Sequence, residues 1–228
     1  MIPLRDSTPS YHFPLVTVGI IFLNLYIFSF QTTLGPEGMR ALIYTFGLIP
    51  QHYEQGFAGL FAYLPFVSST FLHGSWMHVI GNMWMLWLFG DNVEDRMGKG
   101  RFLLFYLLMG ILAGMTHCAI TQMYGGGEIP VVGASGAIAG VMGAYFLMFK
   151  NARILTFVPP FFLFNIPAVL YLGIWALYQF YAGAAGILFS AGMDQIAFWA
   201  HFGGFVAGMV LYRFFLKNHD SYDQPYRY

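Results

Sequence analysis

The chain has 228 residues, of which 58% are hydrophobic, 20% aromatic and only 9% charged, and its mean hydropathy is +0.62. Soluble domains carry roughly 25% charged residues, so this composition excludes an ordinary soluble protein and indicates a polytopic membrane protein. The net charge is zero with no basic run, which argues against a nucleic-acid partner, and the lone cysteine, Cys118, excludes an internal disulfide and a thiolate metal cluster.

About 20 apolar residues cross ~30 Å of hydrocarbon. Six stretches qualify: 13–30, 66–89, 102–124, 131–149, 167–189 and 196–212, and every Asp, Glu, Lys and Arg falls outside them. The expected fold is all-α, a bundle of six transmembrane helices forming one membrane domain over 1–228. Its parts are a polar segment 1–12, a helical core 13–216 and a tail 217–228.

The N-terminal segment is polar and is expected to run straight into the first span without a cleavable signal. The connection 31–65 is apolar and aromatic, so it is expected in the membrane interface or against the bundle. The second span carries His73, His78 and Asn82, and the third carries His117. A glycine-rich connection, 125–130, is expected to be flexible. The fourth span opens on Gly133-Ala134-Ser135-Gly136 and stops at Lys150, short for a crossing. Residues 154–189 form one uncharged run interrupted by Pro159, Pro160 and Pro167, which places the fifth helix near Pro167 after a non-helical approach. A short loop, 190–195, has the makings of a flap. The sixth span carries His201, Gly204 and Gly208.

Six spans put both termini on one side. That side collects Arg5, Arg96, Lys99, Arg101, Lys150, Arg153, Arg213, Lys217 and Arg227, and the other has Arg40 alone. The positive-inside rule then makes the termini cytoplasmic. The expected location is a cell (inner) membrane, with any site near the opposite surface opening to the outer face.

Polar side chains inside a span are costly and tend to mark function. Counted at ~1.5 Å per residue from the basic side, Ser135 lies ~22 Å above Lys150 and His201 ~18 Å above Arg213. On the same scale His78 lies ~20 Å above Asp91, with Asn82 one turn deeper and on the same helix face. Three spans therefore bring polar groups to one layer. Gly136 and Gly140 in the fourth span and Gly204 and Gly208 in the sixth allow two helices to approach closely. Such an approach would bring Ser135 within hydrogen-bonding reach of His201. A serine hydroxyl needs a base to become a nucleophile, and histidine titrates in the useful range. His78, Asn82 and the Ser135 N–H are candidate donors to a developing oxyanion. No span contains a carboxylate, so the hydrolytic reading is a Ser-His dyad.

These motifs together, with FGDNVEDRMGKGRF ahead of the third span, resemble the rhomboid intramembrane serine proteases in their six-span, bacterial-type form. The resemblance covers roughly 66–213. It implies Ser135 as nucleophile, His201 as general base, His78 and Asn82 as oxyanion-stabilising groups, and Gly133, Gly136, Gly140, Gly204 and Gly208 as packing support. It also implies a water-filled cavity, and membrane-anchored single-span proteins as substrates, cut near the outer end of the span. No cofactor and no metal are expected, and the lipid bilayer is the other partner. Where some members carry a tyrosine one turn after the serine, Ala139 stands here, so His201 must be oriented by another group.

Three other readings compete. His78, His117 and His201 could ligate haem, although that gives the GASG motif no role. A transporter would be expected to show a coupling charge or an inverted repeat, and neither is present. A non-proteolytic relative that binds transmembrane segments would typically have lost the serine or the histidine. Metalloprotease and aspartyl chemistry fall away for want of an HExxH motif and of an Asp within a span.

Overall fold

A computed structural model describes residues 1–54, 59–125, 127–189 and 196–217. The loop 190–195, Gly126 and the tail beyond Lys217 lie outside the described residues. The chain is mostly helical. Among the described residues, Leu15–Thr33, Lys99–Tyr124 and Ala168–Leu188 are long and apolar enough to cross a membrane, and Ser135–Met148 is a shorter apolar helix.

The first span is α1 (Leu15–Thr33), which has no side-chain cap of its own. Glu94 reaches across and accepts from the N–H groups of Val16 and Thr17 at 3.0 and 2.8 Å. The carboxylate satisfies two orphan donors and meets the positive end of the helix dipole.

The connection after α1 folds against the bundle. It contains the amphipathic α2 (Gly35–Phe46), α3 (Pro50–Glu54), a 3-10 turn at Leu60–Tyr63 and α4 (Pro65–Ser68). Leu48 and Ile49 are buried, and Leu48 forms an antiparallel bridge with Val131. The Gln51 N–H donates to Gly127 O at 3.0 Å. The glycine-rich connection is thus held at Gly127 rather than free, because the first connection supplies it with a backbone partner.

The stretch 66–89 is not one helix. Short turns run through Phe71, an extended link follows, and α5 (Trp76–Met97) starts only where Ser75 caps it, its Oγ accepting from the His78 N–H at 3.2 Å. The helix continues past residue 89, carrying Asp91, Glu94, Asp95 and Arg96 in its last two turns.

The core is built by α6 (Lys99–Tyr124), α7 (Ser135–Met148) and α9 (Ile196–Leu211), and α7 packs most closely on α9. At 14 residues, α7 is about 21 Å long and sits at the centre, with Ala137, Ile138, Ala139, Val141 and Ala144 buried. A Cβ on Gly204 would stand 2.3 Å from Gly136 O, one on Gly208 2.0 Å from Gly140 O, and one on Gly143 2.0 Å from Phe205 O. The two helices meet backbone to backbone.

Ahead of α8 (Ala168–Phe189), the proline-bearing run folds as a hairpin of β2 (Arg153–Val158) and β3 (Phe162–Pro167). The N-terminal strand β1 (Ile2–Asp6) adds to its free side, giving an antiparallel sheet of order β1-β2-β3. The hairpin has no sequence signature, because the apolar run after Arg153 shows no alternation to separate it from a span, and β1 is too short and mixed to read as a strand by itself. Tyr145 OH donates to Asp6 Oδ2 at 2.6 Å and Asn92 Nδ2 donates to the same oxygen at 3.1 Å, tying β1 to α7 and α5. Burial pushes the Asp6 carboxyl above its ordinary value despite the hydrogen bond from Tyr145.

Candidate active site

Ser135 is the first residue of α7, and the approach to it depends on Gly133. That glycine has φ 125°, in the region L side chains rarely adopt, and its N–H donates to Ser69 O at 2.8 Å. The turn aims the start of α7 at a cavity of about 100 Å³ whose lining includes His78, His117, Gly133, Ser135 and His201. The N–H groups of the first helical turn have no intrahelical partner, so the cavity receives donors at the positive end of the α7 dipole.

His201 stands in the second turn of α9, and the Ser135 Oγ lies 2.7 Å from its Nε2. The opposite ring nitrogen, Nδ1, lies 2.9 Å from Gln179 Oε1 on α8. With Nδ1–H donating to that oxygen, Nε2 keeps its lone pair for the serine hydroxyl. One turn earlier on α8, the Trp175 ring lies 6.1 Å from that of His201, tilted by 33°. Both nitrogens of His201 are engaged by protein groups, which argues against the haem reading.

His78, in the capped first turn of α5, faces Gly133. A Cβ there would come 2.7 Å from its Cε1 and Nε2, and 3.4 Å from Asn82 Nδ2. Asn82 Nδ2 donates to His73 Nε2 at 3.0 Å, and Gln31 fixes the His73 backbone by accepting from its N–H and donating to its carbonyl, both at 3.1 Å. His73, His78 and Asn82 thus form one connected corner beside Gly133. Gly136, Gly140, Gly204 and Gly208 lie below the pair at the α7–α9 contact.

Gly133→Ala is expected to lower any activity of this site roughly tenfold or more, since a left-handed L residue costs about 1–2 kcal/mol and its methyl displaces His78. Turnover of a reconstituted reporter checks this, with Gly19→Ala as control, since no heavy atom lies within 4 Å of a Cβ at Gly19.

Gln179 is not among the residues that the sequence motifs single out. The signal was present: it is the one amide in an uncharged helix, and a polar group in such a place needs a partner. Nothing in the one-dimensional pattern names His201 as that partner.

A family model described as a rhomboid domain matches residues 61–218. Among curated proteins, the chain is 31% identical over 156 residues to "Rhomboid protein 1, mitochondrial" of Saccharomyces cerevisiae, covering 66% of this chain and 41% of that one. It is 30% identical over 150 residues to "Presenilin-associated rhomboid-like protein, mitochondrial" of Bos taurus, covering 64% and 36%. To "Rhomboid-like protein 11, chloroplastic" of Arabidopsis thaliana it is 30% identical over 122 residues, covering 54% and 38%. The chain spans less than half the length of these relatives.

The relatives' names correct the expected location in a cell inner membrane with cytoplasmic termini, since they are mitochondrial or chloroplastic. The physical reason is that a count of basic residues separates one face of a bilayer from the other but does not say which membrane it is. The family model covers more than half of the chain, including both helices of the Ser135–His201 pair, and this chain belongs to the rhomboid family.

Proposed function

We propose that this chain is an intramembrane serine endopeptidase that cuts single-span membrane proteins near one end of their transmembrane segment. The observation that carries the reading is the 2.7 Å approach of Ser135 Oγ to His201 Nε2, at the head of a short helix inside an apolar bundle. In this reading α1 and α5 to α9 cross the bilayer as one domain, and the relatives' names support an organellar membrane.

A substrate helix buries its carbonyls in its own hydrogen bonds, so it must unwind locally before its scissile carbonyl reaches Ser135. His201 takes the hydroxyl proton as Oγ attacks, then returns it to the leaving amine, and water clears the acyl-enzyme. In this reading charge on the carbonyl oxygen develops beside the Ser135 N–H and His78, with Asn82, whose Nδ2 donates to His73, as a further donor. The cavity of about 100 Å³ suits a small side chain next to the cut.

A fluorophosphonate probe tests the assignment in one gel. Wild-type protein in detergent is expected to label, and Ser135→Ala and His201→Ala are not. Labelling that persists in Ser135→Ala would falsify the nucleophile assignment.

A further inference from the structure

Resting on the serine-protease reading, we infer that Gln179 is the positioning residue of His201, a neutral third member that fixes the imidazole in the tautomer and orientation the reaction needs. Three observations converge. Gln179 Oε1 lies 2.9 Å from Nδ1 while Nε2 faces Ser135 Oγ at 2.7 Å, so serine, imidazole and amide form one chain of hydrogen bonds. Gln179 is buried, 5% exposed, where an amide without a partner would be costly. Ala139, one turn after the serine, is a buried methyl that offers the imidazole no acceptor, and the Trp175 ring beside His201 has only an N–H donor, so neither can hold the Nδ1 proton.

The chemistry explains why this group is an amide. A base must present a lone pair at Nε2, which requires the proton on Nδ1 and an acceptor to hold it there. Soluble serine proteases use a buried carboxylate for this. In a membrane layer an ionised carboxylate carries a heavy desolvation cost, and Gln179 offers carbonyl lone pairs without the charge. It supplies orientation and tautomer, and less stabilisation of the imidazolium than a carboxylate would. The acceptor also stands on α8, whereas the nucleophile stands on α7 and the base on α9. Alignment of the base therefore depends on α8 holding its place against α9.

The test compares wild type, Gln179→Leu and Gln179→Glu in the full chain, using fluorophosphonate labelling rates, cleavage of a reconstituted single-span reporter and thermal unfolding. Gln179→Leu removes the acceptor at similar size and is expected to lower kcat roughly 10²-fold with little change in KM or melting temperature. Gln179→Glu, which when ionised can only accept, is expected to keep the activity. Its acid limb should move to higher pH, because the imidazolium offsets the desolvation cost of the introduced carboxylate on Nδ1 and is itself stabilised by that pairing. Mere packing would not produce that displacement. If Gln179→Leu failed to fold, Gln179→Glu would decide: activity with a displaced profile supports the inference, and a folded, inert protein overturns it. A wild type that labels, matched by Gln179→Leu in rate, overturns this inference alone. A wild type inert to both probe and reporter overturns the protease reading, and this inference with it.

Discussion

Ser135→Ala and His201→Ala are each expected to reduce reporter turnover by about 10⁶-fold, and the double variant should lose little more. The serine hydroxyl and the imidazole share one proton-transfer step across 2.7 Å, so removing either removes the step itself. Energies of groups acting as a unit do not add. His78→Ala and Asn82→Ala are expected to cost less, about 10²–10³ each, because each removes one donor from a set that includes helix N–H groups. The ranking is the informative part. Single-turnover cleavage in proteoliposomes measures it, and two large, additive losses at Ser135 and His201 would mean that they do not act on the same step.

Gly204→Leu is expected to abolish activity and lower the melting temperature in detergent, with Ser135 and His201 both intact. Even a Cβ at Gly204 would stand 2.3 Å from Gly136 O, and backbone cannot step aside as a side chain can. Overpacking a well-filled core costs about 1–3 kcal/mol, and a longer side chain against a backbone carbonyl belongs at the top of that range. Ser135 begins α7 one residue before Gly136, and His201 lies one turn before Gly204 on α9. Separating the helices by even 1 Å lengthens the Ser135–His201 contact directly, and a misplacement of that size can cost about 10²-fold in rate. Wild-type turnover in Gly204→Leu would show that the close α7–α9 approach is not needed for the site.

The membrane class, the helical stretches and the four polar side chains Ser135, His201, His78 and Asn82 were legible because hydrocarbon imposes a harsh filter. A charge or amide within a span stands out against a background that excludes such groups. The helix starts were less legible. Expecting a span at 66–89 missed the Ser75 cap that begins α5 at Trp76, because a run of apolar residues carries no mark of where its backbone turns. The β2–β3 hairpin was hidden for a related reason, since from Ile154 onward it lies in the same uncharged run as α8.

By itself, the sequence determined what the bilayer tests residue by residue: which segments are apolar enough to be buried, which connections carry the charges, and which few polar groups lie within the apolar stretches. Small residues at four-residue spacing also marked where α7 and α9 could meet. The tertiary structure alone decided which partner each polar group takes. Gln179 and His201 are 22 positions apart and on different helices, so their contact depends on the rotation of α8 about its axis, which packing sets and composition does not record. The same holds for Asp6 under Tyr145, 139 positions away. Burial requires each polar group to find a partner, but only the assembled helices specify which one.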